Sequence, residues 1–247
     1  MRRTSLCLAL SCLLRTALDA SETVAVQMAD GFDFPVGNGE ATGYYKARGY
    51  RPNGHLGEDW NGRGGGDTDL GDPVTAAGNG IVVFAEDYKM GWGNVVIVRH
   101  AYLEGQEVKY ADSLYGHLNE IKIEKGAWVK RGQLLGTIGT AHGKYPAHLH
   151  FELRKDLRVG MFRNSFPHDL SVYFDPTTFI ATHRKLEGDG RIVAVPINTF
   201  PATPPPLHAD PLAVPPPVAA GSATTKSGVR RSTYQFDRFE DLRKQGY

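Results

Sequence analysis

The chain has 247 residues, 41% of them hydrophobic and 22% charged, with a formal net charge of +1. These values are typical of a soluble globular protein, and the length allows one well-packed domain with additional segments. A near-neutral charge without a basic stripe gives no basis for nucleic-acid binding. The 29 glycines favour strands joined by tight turns over a helical bundle.

Residues 1–20 have the pattern of a secretory signal peptide. Arg2 and Arg3 precede a short apolar run, Leu6 to Leu14, and small or aliphatic residues follow it before Ser21. The run is too short to span a bilayer as a helix. We therefore expect this segment to be removed on export, which leaves a periplasmic, extracellular or cell-envelope protein without a transmembrane segment.

Both cysteines of the chain, Cys7 and Cys12, lie in this segment. The exported protein would therefore have no disulfide and no thiolate ligand for a metal. The residues just before Cys12, Ala9-Leu10-Ser11, are a weak version of a bacterial lipoprotein signal. Lipid anchoring through Cys12 is therefore a less favoured alternative.

The next two segments differ in composition. Residues 21–52 are rich in glycine and aromatic residues, which predicts loops and short strands that lead into a domain. In residues 53–186, short apolar runs alternate with turns, and this part is the predicted domain. Two hairpins are expected in it, one across the turn at residues 78–80, which contains Asn-Gly, and one across the turn at residues 130–133.

Two longer strands are predicted at residues 93–100 and 108–117, the first of which is rich in β-branched residues. No window between the turns has the apolar period of a helix. The chain therefore predicts an all-β fold, a compact antiparallel β-sandwich with few short helices. One short helix is expected after Asp175, because this residue suits an N-cap and Pro176 suits the first helical position.

The composition changes after the predicted domain. Eight of the 15 prolines fall between Pro201 and Pro217, followed by small and polar residues. A segment of this kind does not bury a core. Residues 187–247 are therefore predicted to form a largely disordered tail.

A candidate metal site begins at residues 148–151, where His-Leu-His-Phe has the alternation of a half-buried strand. Its two imidazoles would point to one face, roughly 6.6–7 Å apart along the strand. Upstream, His55 and Asp59 lie in a glycine-rich stretch that can curl both side chains inward. Together with His148 or His150 they supply two imidazoles and a carboxylate, a donor set of catalytic zinc sites.

A further histidine, His117, ends a predicted strand. Taken alone, such a residue is more often a surface or hydrogen-bonded histidine than a catalytic one. The same interpretation applies to five others: His100, His142, His168, His183 and His208.

Three motifs, taken in order and with their spacing, resemble the lysostaphin/LytM-type zinc endopeptidases: His55-x-x-x-Asp59, Tyr115-Gly116-His117-Leu118 and His148-Leu149-His150-Phe151. The turn with Gly132, Gly136 and Gly139 is also similar to the one before their last motif. The resemblance covers roughly residues 50–155. The family's small-residue loop before the last strand is altered at residues 141–147 to Ala-His-Gly-Lys-Tyr-Pro-Ala, which bears on substrate preference.

The resemblance implies that His55, Asp59 and His150 hold Zn²⁺ and that His117 and His148 are catalytic residues without a bond to the metal. Zinc in such a site lowers the pKa of its bound water toward about 7 and polarises the scissile carbonyl. His148 would act as general base, and His117 would orient the water or stabilise the oxyanion; these roles can also be exchanged.

The resemblance also implies a metal-binding groove over the sandwich and, as partners, peptides of bacterial cell-wall peptidoglycan. The loops at residues 62–71 and 88–93 are candidate walls of this groove, and Tyr50 is a candidate additional oxyanion donor. We expect the protein to be a monomer.

Three alternatives remain open. A catalytically inactive relative would bind the wall or activate other wall hydrolases, as family members that have lost ligands do. A non-haem iron or cupin-type oxygenase also uses two histidines and a carboxylate on a β-scaffold, but it does not need the second histidine of the His-Leu-His pair. The third alternative is a purely structural wall-binding module.

Overall fold

The structure is a computed structural model that describes residues 22–187 and 190–205. Within these residues the chain forms thirteen strands, one α-helix and two short helical turns. The strands are β1 (Thr23–Gln27), β2 (Tyr44–Arg48), β3 (Glu58–Gly62), β4 (Pro73–Thr75), β5 (Gly80–Lys89), β6 (Gly93–Glu104), β7 (Glu107–Leu118), β8 (Glu120–Ile121), β9 (Trp128–Val129), β10 (Leu134–Thr137), β11 (Leu149–Arg154), β12 (Tyr173–Phe174) and β13 (Ile192–Pro196). The helix α1 spans Pro176–Thr182, and the turns span Gly37–Ala41 and Arg163–Ser165.

The strands form three sheets. The central sheet has eight strands in the order β2-β3-β11-β7-β6-β5-β9, with β12 beside β11. A smaller sheet has the order β4-β10-β8, and β1 pairs with β13. Every pairing is antiparallel. The predicted all-β antiparallel fold with few short helices is confirmed.

The main core lies between the central sheet and the β4-β10-β8 sheet. Val74 and Leu135 of the smaller sheet belong to one buried cluster with Val98, Tyr115 and Phe151 of the central sheet. These side chains are fully buried, so two sheet faces close over one apolar layer. This layer is the interior of the predicted sandwich.

The opposite face of the central sheet is also covered. Ile97 of β6 and Leu114 of β7 pack with Val26 of β1 and Val195 of β13 in a second buried cluster. Because both faces of β6 are covered, this strand has a nearly continuous apolar sequence instead of an alternating one.

Both predicted hairpins are wrong, because the chain changes sheets at each turn. At residues 78–80 it passes from β4, which pairs with β10, to β5, which pairs with β6 and β9. Asn79 secures this crossing: its amide nitrogen donates to Met28 O at 3.1 Å, and its amide oxygen accepts from Arg131 N at 2.9 Å. At residues 130–133 the chain returns from β9 to the smaller sheet. Turn residues alone do not specify whether the flanking strands pair with each other.

Ordered structure continues beyond residue 186, the boundary predicted for the tail. Strand β13 pairs with β1 along their full lengths. Buried Arg99 fixes this segment, because it donates to Pro196 O at 2.7 Å and forms a 2.7 Å salt bridge with buried Asp112. The predicted signal peptide, both cysteines and residues 206–247 lie outside the described residues.

The predicted short helix is confirmed. Pro176 begins α1, and the carboxylate of Asp175 caps it by accepting a hydrogen bond from Thr178 N at 2.8 Å. The helix buries Phe179 and Ile180 in the main core. Among the described residues, no helix has the length and apolar character needed to cross a membrane.

Candidate metal centre

Strand β11 brings the candidate residues of the motifs together. It lies between β3 and β7, so that His150 is opposite Asp59 on one side and opposite Gly116, the neighbour of His117, on the other. His148 precedes His150 by two residues and lies on the same side of the extended chain. Antiparallel register therefore joins segments that are about 90 residues apart in the sequence.

Three donor atoms face one another at this point. His55 Nε2 is 3.1 Å from Asp59 Oδ1 and 3.1 Å from His150 Nδ1, and Asp59 Oδ1 is 2.8 Å from His150 Nδ1. The three residues are only 4–8% exposed. Two imidazole nitrogens and one carboxylate oxygen are a donor set of catalytic zinc sites, so these residues fit a zinc ion. Within the described parts of the chain, no second group of three potential ligands comes this close together.

Hydrogen bonds fix which ring nitrogen of each ligand faces the centre. His55 Nδ1 lies 3.1 Å from Gly49 O, and a carbonyl requires the proton to be on Nδ1, which leaves the Nε2 lone pair for a metal. His150 has the opposite arrangement, because its Nε2 donates to Glu152 Oε1 at 2.9 Å and Nδ1 faces the centre. The two imidazoles are thus oriented before any metal binds.

Glu152 is a buried support of the centre that the sequence motifs did not single out. Its second oxygen accepts a hydrogen bond from Arg154 Nε at 2.7 Å, and both residues are at most 1% exposed.

Burial alone would raise the pKa of Glu152, but Arg154 and the bond to His150 hold it well below its usual range. Burial alone would lower the pKa of His150, but hydrogen bonds with Asp59 and Glu152 raise it to about 9. Glu152 therefore stays ionised beside His150. A metal ion bound at His150 Nδ1 would take the place of the proton on that nitrogen.

Removing the Glu152 charge is expected to weaken metal binding without removing a ligand. In the double variant Glu152→Gln with Arg154→Met, an acceptor oxygen remains for His150, and no unpaired charge stays buried. Loss of such a supporting anion typically lowers metal affinity about 10–100-fold, which competition with a chromogenic zinc chelator measures.

A matched control is the exposed salt bridge between Glu120 and Lys122. Glu120→Gln with Lys122→Met should leave zinc affinity unchanged. Equal affinity of the Glu152/Arg154 variant and the unmodified protein would contradict the supporting role.

His117 and His148 lie beside the three donors. Their ring centroids are 4.9 Å apart, and His148 Nε2 is 3.9 Å from Asp59 Oδ1. In both rings Nδ1 bonds to a backbone carbonyl: His117 to Trp92 O at 3.1 Å and His148 to Pro146 O at 2.8 Å. Each ring therefore keeps an Nε2 lone pair that can accept a proton.

Both histidines have shifted pKa values, and His117 has an unusual backbone conformation. Burial lowers the pKa of both rings, and for His117 the neighbouring His148 and His150 lower it further. Both are therefore neutral bases at neutral pH. His117 also has a φ of +63°, a conformation that non-glycine residues seldom adopt outside functional sites and turns.

A tyrosine that the sequence motifs did not single out, Tyr145, lies beside these histidines. The Tyr145 ring centroid is 5.0 Å from that of His117 and 6.0 Å from that of His148. Burial raises the pKa of Tyr145, and nearby Asp59 raises it further. Tyr50 instead packs against the buried cluster that contains Tyr173. The signal that could have indicated Tyr145 was its place in the altered loop before the His-Leu-His strand.

Both loops predicted as groove walls border the centre. In the first, Asp67 Oδ1 accepts a hydrogen bond from Ala147 N at 2.7 Å, directly before His148. In the second, the Trp92 ring lies edge-on to His150 with a centroid distance of 5.4 Å and stacks on His117 at 6.2 Å. Residues of both predicted walls therefore contact the centre or the residue directly before it.

The fold and the centre together define an antiparallel β-protein with two histidines and one carboxylate as potential metal ligands and two more histidines beside them. The sequence profile of Peptidase family M23 matches residues 54–161. Lipoprotein NlpD of Yersinia enterocolitica is 35% identical over 86 residues, which are 34% of this chain and 78% of that protein. The chain belongs to Peptidase family M23, which confirms the resemblance found in the three motifs.

Other similar proteins share this part of the chain. Peptidoglycan DD-endopeptidase ShyA of Vibrio cholerae is 34% identical over 86 residues, which are 34% of this chain and 18% of that protein. Among solved structures, the catalytic domain of lysostaphin from Staphylococcus simulans is 28% identical, with a TM-score of 0.43 over 59% of this chain and 98% of that chain. The chain spans 13–26% of the length of three further curated relatives.

Proposed function

We propose that this protein is a secreted zinc metalloendopeptidase that cleaves peptide bonds in bacterial cell-wall peptidoglycan. The observation that carries the proposal is the approach of His55, Asp59 and His150 to within 3.1 Å of one another through their donor atoms. Two further imidazoles lie beside them, and either one can supply the general base that a hydrolytic zinc centre uses. Membership in the M23 family and similarity to a peptidoglycan DD-endopeptidase support the reaction and the substrate.

His55, Asp59 and His150 would hold the zinc ion, through Nε2, Oδ1 and Nδ1. When bound, zinc makes water acidic enough to supply hydroxide near neutral pH and polarises a carbonyl. The buried Asp59 carboxylate suits a divalent cation because it offsets part of the positive charge, and the two imidazole nitrogens supply the other donors once the metal replaces the proton on His150 Nδ1.

His148 would be the general base. Its Nε2 lone pair lies 3.9 Å from Asp59 Oδ1, next to the ligands, and the bond from Nδ1 to Pro146 O keeps the ring in the tautomer that accepts a proton. The same nitrogen can then pass the proton to the leaving amine, so that the ring is neutral again.

His117 would orient the attacking water or stabilise the oxyanion, and the roles of His117 and His148 can be exchanged. Tyr145 adds an O–H donor near both rings, and its raised pKa keeps this hydroxyl protonated. Trp92 and Tyr145 also flank the centre with aromatic surface, which excludes water and strengthens each polar contact.

We also propose that the protein acts in the cell envelope as a monomer. The signal-peptide pattern of residues 1–20 supports export, and similarity to proteins named as lipoproteins supports an envelope location. All five proposed site residues belong to one chain, so the centre does not need a second copy. We propose residues 53–186 as the catalytic domain, with β1 and β13 packed on its outer face.

Digestion of purified peptidoglycan, followed by mass spectrometry of the fragments, tests the proposed function. We expect hydrolysis of a peptide bond, seen as fragments with a new amine and a new carboxyl end. A chelator should stop the reaction and added zinc should restore it.

Intact peptidoglycan after incubation with the zinc-loaded protein, together with retained binding to the wall, would support the inactive wall-binding or activator alternative. Bound iron with oxygen-dependent activity would support the oxygenase alternative.

A further inference from the structure

Arg163 places a positive charge next to the centre, just outside the part of the chain matched by the family. Arg163 begins the short helical turn Arg163–Ser165, and the family match ends at residue 161. The guanidinium carbon of Arg163 lies over the Trp92 ring, 5.4 Å from its centroid. The same ring is 5.4 Å from the His150 ring. One aromatic side chain therefore positions the Arg163 charge beside a proposed metal ligand.

The charge of Arg163 is only partly compensated. Its Nη1 is 4.0 Å from Glu152 Oε1, but Glu152 already bonds to His150 and Arg154. The Arg163 side chain is 32% exposed. Within residues 22–187 and 190–205, none of its N–H groups donates a hydrogen bond. A guanidinium with unused donors can bind a carboxylate through two parallel hydrogen bonds.

The local charge balance favours an anion. Asp59 and Glu152 contribute two negative charges next to His150, and Arg154 and Arg163 contribute two positive charges, so these four side chains balance one another. A divalent cation would make this region positive by two charges. Arg163 also acts on Tyr145, because it lowers the pKa of the hydroxyl that burial raises. Arg48 lowers the pKa of Tyr145 in the same way, so positive charge lies within electrostatic reach of this hydroxyl.

We propose that Arg163, supported by Trp92, binds a free carboxylate of the substrate close to the scissile bond. This inference rests on the proposed function and adds a substrate class to it: peptides whose carboxylate near the cleavage point is ionised and not amidated. The carboxylate comes either from the C-terminus of the peptide or from an acidic side chain. Arg163 is a specificity-determining residue in this account, and it takes no part in the transfer of protons.

The test uses synthetic cross-linked stem-peptide dimers in three forms: both carboxylate types free, the terminal carboxylate amidated, and the side-chain carboxylates amidated. We expect the zinc-loaded protein to cleave the first form with kcat/KM at least about tenfold higher than one of the amidated forms, mostly through KM. The form that loses activity identifies the source of the carboxylate. The Arg163→Gln variant should cleave the free form with the low kcat/KM that the unmodified protein has for that amidated form. Its kcat should stay similar to that of the unmodified protein.

Arg158→Gln is the matched control, because Arg158 is 69% exposed and pairs with Asp156. This variant should keep the preference of the unmodified protein. Turnover in zinc-loaded His117→Ala is expected to be slowed about 10²–10⁴-fold, so calorimetry with the free form in this background, with and without Arg163→Gln, should show the same loss in affinity.

Two results would overturn the inference alone: equal cleavage of free and amidated dimers by the unmodified protein, or an unchanged preference in Arg163→Gln. Failure of the unmodified protein to cleave any dimer or purified peptidoglycan would instead overturn the proposed function.

Discussion

His150→Ala is expected to reduce the zinc content from about one ion per chain to near zero and to abolish peptidoglycan cleavage. The reason is that His150 Nδ1 lies within 3.1 Å of both other donor atoms, so its loss leaves one imidazole and one carboxylate. Two protein ligands are one fewer than catalytic zinc sites use. Metal analysis after dialysis measures the loss of zinc. The release of soluble fragments from labelled peptidoglycan measures the loss of cleavage.

His142→Ala is the control for this prediction. His142 is an exposed histidine that pairs with Asp87 at 3.0 Å and is not part of the centre. Its removal should change neither zinc content nor cleavage. An alanine variant of His150 that keeps one zinc ion and full activity would remove the basis of the proposed centre.

His117→Ala is expected to keep the zinc ion and the fold but to lower kcat about 10²–10⁴-fold, the usual contribution of a residue that stabilises an oxyanion or, if the two roles are exchanged, transfers a proton. His117 is near the ligands, with its ring 5.6 Å from that of His150, but its donor atom is not among the three that converge. Zinc analysis, circular dichroism and turnover of a peptide substrate separate binding from catalysis.

The conformation of His117 calls for a second variant. Its φ of +63° disfavours alanine, so a loss of activity in His117→Ala could include backbone strain. Asparagine tolerates this region of backbone conformation. His117→Asn should therefore be as stable as the unmodified protein, and its turnover should be as slow as that of His117→Ala. Near-normal turnover in His117→Asn would show that the imidazole is not needed.

Strand periodicity predicted only part of the candidate centre, and the choice of His55, Asp59 and His150 as ligands came from the resemblance of the three motifs. Alternation at residues 148–151 places two imidazoles on one face, and the antiparallel register of β11 brings Asp59 opposite His150. What periodicity does not provide is the tautomer of each ring. The tautomers of His55, His148 and His117 depend on Gly49 O, Pro146 O and Trp92 O, backbone groups whose positions are set by the folded loops and not by strand alternation.

Glu152 shows a second limit of sequence reasoning. In the sequence it follows Phe151 in a strand and could be any polar residue on a sheet. In the structure it is fully buried and paired with Arg154, so its position behind His150 becomes evident only from packing. The hairpins at residues 78–80 and 130–133 failed for a related reason, because local turn signals do not identify pairing partners across two sheets.

The residues around the centre were the least predictable. Trp92 lies in a loop that was only one of two candidate walls, and Tyr145 lies in the segment where the chain departs from the family pattern. Arg163 lies beyond the three motifs and contacts the centre through Trp92. Loops of this kind carry specificity, and their placement depends on tertiary contacts that have no sequence period.

The most direct test of the metal centre is anomalous X-ray diffraction, recorded on both sides of the zinc absorption edge, from crystals of the zinc-loaded protein. We predict one strong peak per chain among His55 Nε2, Asp59 Oδ1 and His150 Nδ1, with the imidazoles of His117 and His148 beside it and not bonded to it. Absence of a peak at this position, or a zinc ion bound by His117 or His148 instead, would contradict the account.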